Sequence, residues 1–259
     1  MTHLDWRTPE EWLADPAITV CAGYDGREAV AVMATSVPEE GVCWLRVLAV
    51  GRGISLGRAT RQLWSCLASH LRAEGVREVY VIVLAEWAHY PLLEAGFRRV
   101  EDVILLERAP DAPLPPQAPR PDALCMIPVN DGLLGMVKAV DRATFAPCWR
   151  LDTGDLQVAS RQAAVFLLAE VAGRPAGYAL VTAIDGEAHL ARLATAPVFQ
   201  RCGVATALLH EAVPVLRAAG LPLTTVNTQR SNQASRQLYA RWGFRETGFW
   251  LPVLAASPG

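Results

Sequence analysis

Leu193-Ala194-Thr195-Ala196-Pro197-Val198-Phe199-Gln200-Arg201-Cys202-Gly203-Val204-Ala205 changes its pattern halfway along. Its first residues are apolar and compact, as in a buried strand, and Ala-Pro ends that strand. Gln-x-x-Gly-x-Ala then opens a run of helix formers from Thr206 to Glu211. A strand that turns through glycine into a helix N-terminus makes an anion site, because the first N–H groups lack partners and the helix dipole is positive there. Gly203 has no Cβ, so a ligand's phosphates can approach its backbone, and Arg201 adds a cation.

Further along, Asn232-Gln233-Ala234-Ser235-Arg236-Gln237-Leu238-Tyr239-Ala240-Arg241-Trp242-Gly243-Phe244 reads as a helix closed by glycine. Together the two stretches resemble the paired signatures of the GNAT acyltransferase superfamily. Gln200-x-x-Gly203-x-Ala205 is similar to the Gln/Arg-x-x-Gly-x-Gly/Ala loop, and the second stretch to Asn-x-x-Ala/Ser…Leu-Tyr-x-x-x-Gly-Phe. They occur in the family's order, and the resemblance spans Leu124 to Pro252.

Earlier in the chain the same landmarks recur. Leu48-Ala49-Val50 matches Leu193-Ala194-Thr195, and Leu71-Arg72-Ala73-Glu74-Gly75 matches Leu216-Arg217-Ala218-Ala219-Gly220, both at an offset of 145 residues. Gly57 matches Gly203 at 146, and Gly96-Phe97-Arg98 matches Gly243-Phe244-Arg245 at 147. A repeat of this length is a duplicated domain. The proline-rich run Ala109 to Pro121 lies between the copies and reads as a stiff, extended linker. The expected fold class is α/β, mixed with α+β character. It comprises two tandem GNAT-type domains, each a mixed, partly splayed sheet flanked by helices. The boundaries are 1–108 for a degenerate first copy, 109–121 for the linker and 122–259 for the acetyltransferase domain. The first copy lacks a first strand.

Composition bounds the partners. The 259 residues are 52% hydrophobic and 19% charged, with a net charge of −2 and no block of like charge, so a general nucleic-acid or anionic-membrane binder is excluded. No apolar run is long enough to span a bilayer, and Met1 to Trp6 has neither a basic region nor an apolar core of a signal peptide. Six scattered cysteines, none in a C-x-x-C pair, read as free thiols in a reducing cytoplasm, with no metal expected. A homodimer is compatible with these features.

The resemblance implies acetyl-CoA as acyl donor. Leu193 and Thr195 would offer strand backbone to the pantetheine arm, and Gln200, Arg201, Cys202, Gly203, Val204, Ala205 and Thr206 would hold the pyrophosphate. Asn232 would hydrogen-bond the pantetheine, doubling as a helix N-cap. Tyr239 would protonate the leaving thiolate. Cys202, placed in the phosphate loop, is structural and forms no acyl-cysteine.

An attacking ammonium must lose a proton, and Glu187 and His189, two apart on the strand leading to the site, are the candidate bases, with a solvated strand end as the alternative for each. Asp141, Trp149, Asp152 and Asp155 surround the inter-helix loop, where acids and an aromatic would suit a cationic amine. In the first copy Ile54 stands where the loop's leading Gln/Arg is expected, and Leu92 stands at the tyrosine position, so that copy is expected to be inactive and empty. The expected function is acetyl transfer to a primary amine of a small molecule or peptide, by direct attack in a ternary complex. Two alternatives stand beside it: a non-catalytic acyl-CoA sensor or scaffold, and a mycothiol-synthase-like tandem acetyltransferase.

Overall fold

The structure, a computed structural model, describes residues 7–117 and 119–259. In chain order the elements are α1 (Pro9–Leu13), β1 (Thr19–Asp25), β2 (Glu28–Thr35), β3 (Val42–Val50), α2 (Leu56–Ala73), β4 (Glu78–Ile82), α3 (Glu86–Glu94) and β5 (Arg98–Glu107). The second copy follows with β6 (Leu124–Pro128), α4 (Leu134–Thr144), α5 (Thr153–Gln162), β7 (Ala163–Val171), β8 (Arg174–Ile184), β9 (Glu187–Thr195), α6 (Val204–Ala218), β10 (Leu223–Gln229), α7 (Gln233–Arg241) and β11 (Arg245–Ala256).

Two compact units result. One contains Val103–Trp250, the other Arg7–Asp102 together with Leu251–Gly259. This differs from a division into 1–108 and 122–259 in the last strand of each copy. The open edge of β10 is paired by the end of β5, Thr225 opposite Glu107 through Gln229 opposite Val103. The edge of β4 is paired by the end of β11, Val253 opposite Ile82 through Ala256 opposite Val79. Strand order is β5-β10-β9-β8-β7-β6 in the first of these units and β1-β2-β3-β4-β11 in the other. In each, one neighbouring pair is parallel and the rest are antiparallel, β9 with β10 and β3 with β4. Among the described residues the first copy has no counterpart of β6.

Local chemistry explains the recurring landmarks. Both Leu-x-x-x-Gly segments end a helix with glycine in the left-handed region, Gly75 at φ 77° and Gly220 at φ 72°. The next N–H then returns to the leucine carbonyl, Val76 to Leu71 and Leu221 to Leu216, each at 2.9 Å. The two Gly-Phe pairs do the same, Phe97 N–H to Leu92 at 3.1 Å and Phe244 N–H to Tyr239 at 3.0 Å. Thr8 and Glu11 form the capping box that starts α1.

The segment between the copies is not a free spacer. Arg217 donates to the Ala112 carbonyl at 2.7 Å, Leu114 packs against the core of the Val103–Trp250 unit, and Pro119 lies against Gly203. Apolar burial and backbone hydrogen bonding hold it, which proline content alone does not reveal. Ala118 lies outside the described residues. Among the described residues no helix is long and apolar enough to cross a membrane.

Candidate active site

The site begins where a sheet fails to close. β9 and β10 pair in parallel only as far as Leu190 and Val226, and beyond that point they separate. On its other side β9 carries a bulge: Leu190 faces Val181 and Arg192 faces Leu180, leaving Ala191 as the extra residue. The first copy repeats both features. β3 and β4 stop pairing at Trp44 and Tyr80, and Arg46 is the extra residue between Leu45 and Val47.

The gap between β9 and β10 opens into a cleft of about 590 Å³. Leu190, Ala191, Arg192 and Leu193 line one wall, and Asn227, Thr228 and Gln229 the other. Unpaired strand backbone faces a space there, an edge that an extended ligand can join as a strand would. Asn232, Ser235 and Tyr239 of α7 complete the cleft together with His189, Val103, Phe145 and Trp149.

Tyr239 is buried, 4% exposed, with its ring edge-on to Phe244. Burial pushes its phenol well above the usual range, and a hydrogen bond with Ser235 opposes the shift. The group is therefore a proton holder over ordinary pH. Asn232 caps α7, its side chain accepting from the Ser235 N–H at 3.1 Å. It lines the cleft as well, so both roles assigned to it meet at one side chain.

The two candidate bases separate. His189 is buried in the cleft, 2% exposed, with Nδ1 2.8 Å from the Thr225 hydroxyl. Glu187 is exposed at the start of β9, accepts from the Thr224 hydroxyl at 2.7 Å and is not among the cleft residues. Its place is at the strand end, before the bulge and the splay. Thr195 is not in the cleft either. Its carbonyl accepts from Gln200 Nε2 at 3.3 Å, which ties the following loop to the end of β9. Leu193 does line the cleft.

Arg201 sits at φ 61° and Gly203 at φ 84°, so the backbone turns through the left-handed region twice before α6. No side chain caps α6, so the N–H groups of Val204, Ala205 and Thr206 in its first turn have no capping partner. Cys202 is exposed and its thiol is 3.4 Å from the Gln200 carbonyl, a local contact. The reason for glycine at 203 needs correcting. A Cβ there would lie 2.2 Å from the Pro119 carbonyl oxygen, so packing by the chain itself and the positive φ both require glycine.

The acids predicted around the acceptor loop do different work. Asp141 is fully buried and receives Arg192 at 2.8 and 3.0 Å. The Tyr178 hydroxyl donates to the same oxygen, and Arg192 also donates to the Trp149 carbonyl and stacks 3.9 Å from the Phe145 ring centre. Burial opposes the Arg192 charge, but Tyr178 and Asp141 outweigh it and raise the guanidinium's pKa. Burial, chiefly, pushes the Tyr178 phenol far up. Asp152 caps α5, accepting from the Asp155 N–H at 2.6 Å, and Asp155 is buried on that helix. Among the described residues that line the cleft none is a carboxylate. Sequence reading overlooked Arg192 and Tyr178. The signal was a single arginine within the apolar run Leu190 to Leu193.

In the first copy the helix starts set the register: α2 begins at Leu56 and α6 at Val204. Arg52 therefore stands at the Gln200 position, Ser55 at Gly203 and Gly57 at Ala205, which corrects the placement of Ile54 as the leading residue. Gly57 lies inside the helix, whereas Gly203 precedes one. The departure at Leu92 stands, because Leu92 and Tyr239 accept the same closing N–H bond and Leu92 has no phenol.

Residues 134–244 match the family model "Acetyltransferase (GNAT) family". A search of curated protein sequences gave no match. Solved structures similar to this chain include a tandem GNAT protein from the clavulanic acid biosynthesis pathway, at 15% identity and TM-score 0.62, covering 95% of this chain and 85% of that one. A GCN5-related N-acetyltransferase from Sphaerobacter thermophilus is similar at 17% identity and TM-score 0.59, covering 89% and 78%. One from Kribbella flavida is similar at 17% identity and TM-score 0.55, covering 90% and 89%. The chain has a two-domain GNAT fold.

Proposed function

We propose that the domain that holds the cleft, whose residues 134–244 match the acetyltransferase (GNAT) family model, moves an acetyl group from acetyl-CoA to a primary amine, by direct attack in a ternary complex in the cytoplasm. The observation that carries this reading is the buried phenol of Tyr239 in a cleft between two strands that have stopped pairing. The residues fit the donor: open strand backbone for an extended arm, an amide at Asn232, and an uncapped helix N-terminus behind a loop that carries Arg201. When bound, acetyl-CoA supplies an activated acyl group and a thiolate leaving group.

The chain's own residues do the rest. His189 takes the proton of the incoming ammonium, and the Thr225 hydroxyl 2.8 Å from its Nδ1 orients the ring. Tyr239 gives its proton to the departing thiolate, and burial keeps that proton in place until it is needed. Arg192, clamped by Asp141, holds the Trp149 carbonyl and so fixes the acceptor loop against β9. The acceptor reacts as a neutral amine beside Trp149 and the amides of Asn227 and Gln229. The first domain, with Leu92 in place of the phenol, does no chemistry.

The test is Tyr239→Phe, with acetyl-CoA binding followed by calorimetry and turnover by thiol release over an amine panel. Binding kept and kcat down by about 10²-fold or more supports the acid role. Full turnover removes Tyr239 from it. Binding without turnover of any amine by the unsubstituted protein leaves the sensor reading in its place.

A further inference from the structure

All six cysteines are free thiols, and two of them, scattered in sequence, come together on folding. Cys21 on β1 and Cys66 and His70 on α2 come together in the unit formed by Arg7–Asp102 and Leu251–Gly259, and none of the three lines the cleft. Their ligating atoms all lie within 4.8 Å of one another. Cys66 and His70 are four apart on one helix, which places both on the same face, and β1 brings Cys21 beneath them. Cys21 is buried, and Cys66 and His70 are open to solvent, so the cluster has a dry floor and an accessible mouth.

We propose that Cys21, Cys66 and His70 form a binding site for a thiophilic d10 cation, Zn2+ in the first place. Two sulfurs and an imidazole select such ions over Mg2+ or Ca2+, which take oxygen donors. In a tetrahedral zinc site, bonds of about 2.3 Å to sulfur put two sulfurs roughly 3.8 Å apart. The two sulfurs lie within 4.8 Å of each other, so at most about 1 Å of closure brings them to that spacing.

The histidine is already oriented. His70 Nδ1 is 3.0 Å from the Cys66 carbonyl, and a carbonyl only accepts, so Nδ1 carries the hydrogen. Nε2 therefore keeps the lone pair that binds metal, with the backbone bond as its outer-shell support. On binding, each thiol gives up its proton, two per cation, and two sulfur–metal bonds and one nitrogen–metal bond form. Three protein donors leave the fourth tetrahedral position to water. The cation would pin β1 to α2 across the sheet–helix interface of this unit.

Cobalt is the probe, because thiolate-bound Co2+ in a tetrahedral field is coloured. The full chain, reduced and stripped with chelator, is titrated with Co2+ and then back-titrated with Zn2+. One Co2+ per chain is expected, with a thiolate charge-transfer band that one equivalent of Zn2+ abolishes. Cys66→Ser and His70→Ala, both surface substitutions, each weaken binding by about tenfold or more, the scale seen even for outer-shell changes. Cys125→Ser, an exposed cysteine elsewhere, leaves it unchanged. No charge-transfer band, or uptake by the His70→Ala and Cys66→Ser proteins as tight as by the unsubstituted chain, overturns the proposal. So does a Cys21–Cys66 crosslink formed on oxidation of a reduced chain that takes up no cation, which would make the pair a redox couple.

Discussion

Arg192 and Asp141, 51 residues apart in sequence, form an ion pair in which Nη2 and Nε donate to the single oxygen Oδ2 at 2.8 and 3.0 Å and the carboxylate is fully buried. A buried ion pair adds little net stability over an apolar pair, but removing one member strands the other. Asp141→Ala is expected to cost about 3–5 kcal/mol in urea unfolding. The double change Asp141→Leu with Arg192→Met recovers most of that loss, because no charge is left unpaired. The double-mutant cycle measures the difference directly.

Tyr178 and Tyr239 are both buried phenols raised above their usual pKa, chiefly by burial. The folded pKa exceeds the unfolded value of about 10, so the stabilisation is complete below that pH and is lost as pH rises above it. Alkaline unfolding, followed by circular dichroism, should begin above about pH 10. Tyr239→Phe should reduce the steepness by about 1.4 kcal/mol per pH unit, one proton's worth. In the same logic, kcat should show no alkaline fall from Tyr239 below about pH 10.

Arg201 holds a left-handed conformation, φ 61°, in a loop read as the phosphate cradle. That conformation costs a side-chain residue about 1–2 kcal/mol, partly offset in Arg201→Gly by the freer unfolded chain, by about 0.4–1 kcal/mol. Arg201→Gly should therefore stabilise slightly in thermal melts while weakening acetyl-CoA binding by about tenfold through loss of a charge-assisted bond. Gly203→Ala should move stability the opposite way, since its Cβ meets Pro119 at 2.2 Å and its φ is 84°.

His189 lies in the cleft and Glu187 outside it. His189→Gln should lower kcat by about 10²-fold, within the range for a general base. Glu187→Gln, which keeps a hydrogen bond with Thr224, should leave kcat within about twofold, the scale of a surface change. A large fall for Glu187→Gln with none for His189→Gln would reverse the assignment.

Much of the fold was legible because its signals are local. The bounds of β9 follow from an apolar run ended by Ala196-Pro197, and the Leu-x-x-x-Gly and Gly-Phe landmarks are helix endings whose hydrogen bonds lie within five residues. Asn232 and Tyr239 were readable from a short signature on one helix. What was not readable depended on topology. Asp141 finds Arg192 only after α4 packs on the sheet, and until then it is one more surface acid. Cys21 and His70 meet across a strand and a helix. In the first copy, pairing Gly57 with Gly203 by residue type alone shifted the loop by two positions, because glycine serves inside one helix and before the other. The exchanged last strands were illegible for a different reason. The ends of β5 and β11 are both apolar, and nothing in their pattern distinguishes one partner edge from the other.

That exchange bears on the order in which the protein is made. The ribosome delivers Arg7–Asp102 before Val103–Trp250, yet the sheet of that unit is completed by Leu251–Gly259, which emerge only after that whole intervening stretch. Nascent domains ordinarily close one after another as they leave the exit tunnel. Here the edge of β4 waits through the synthesis of the whole second domain. During that interval it is an unpaired strand edge of the kind that recruits stray chains, a window in which a chaperone earns a role in the life of this fold.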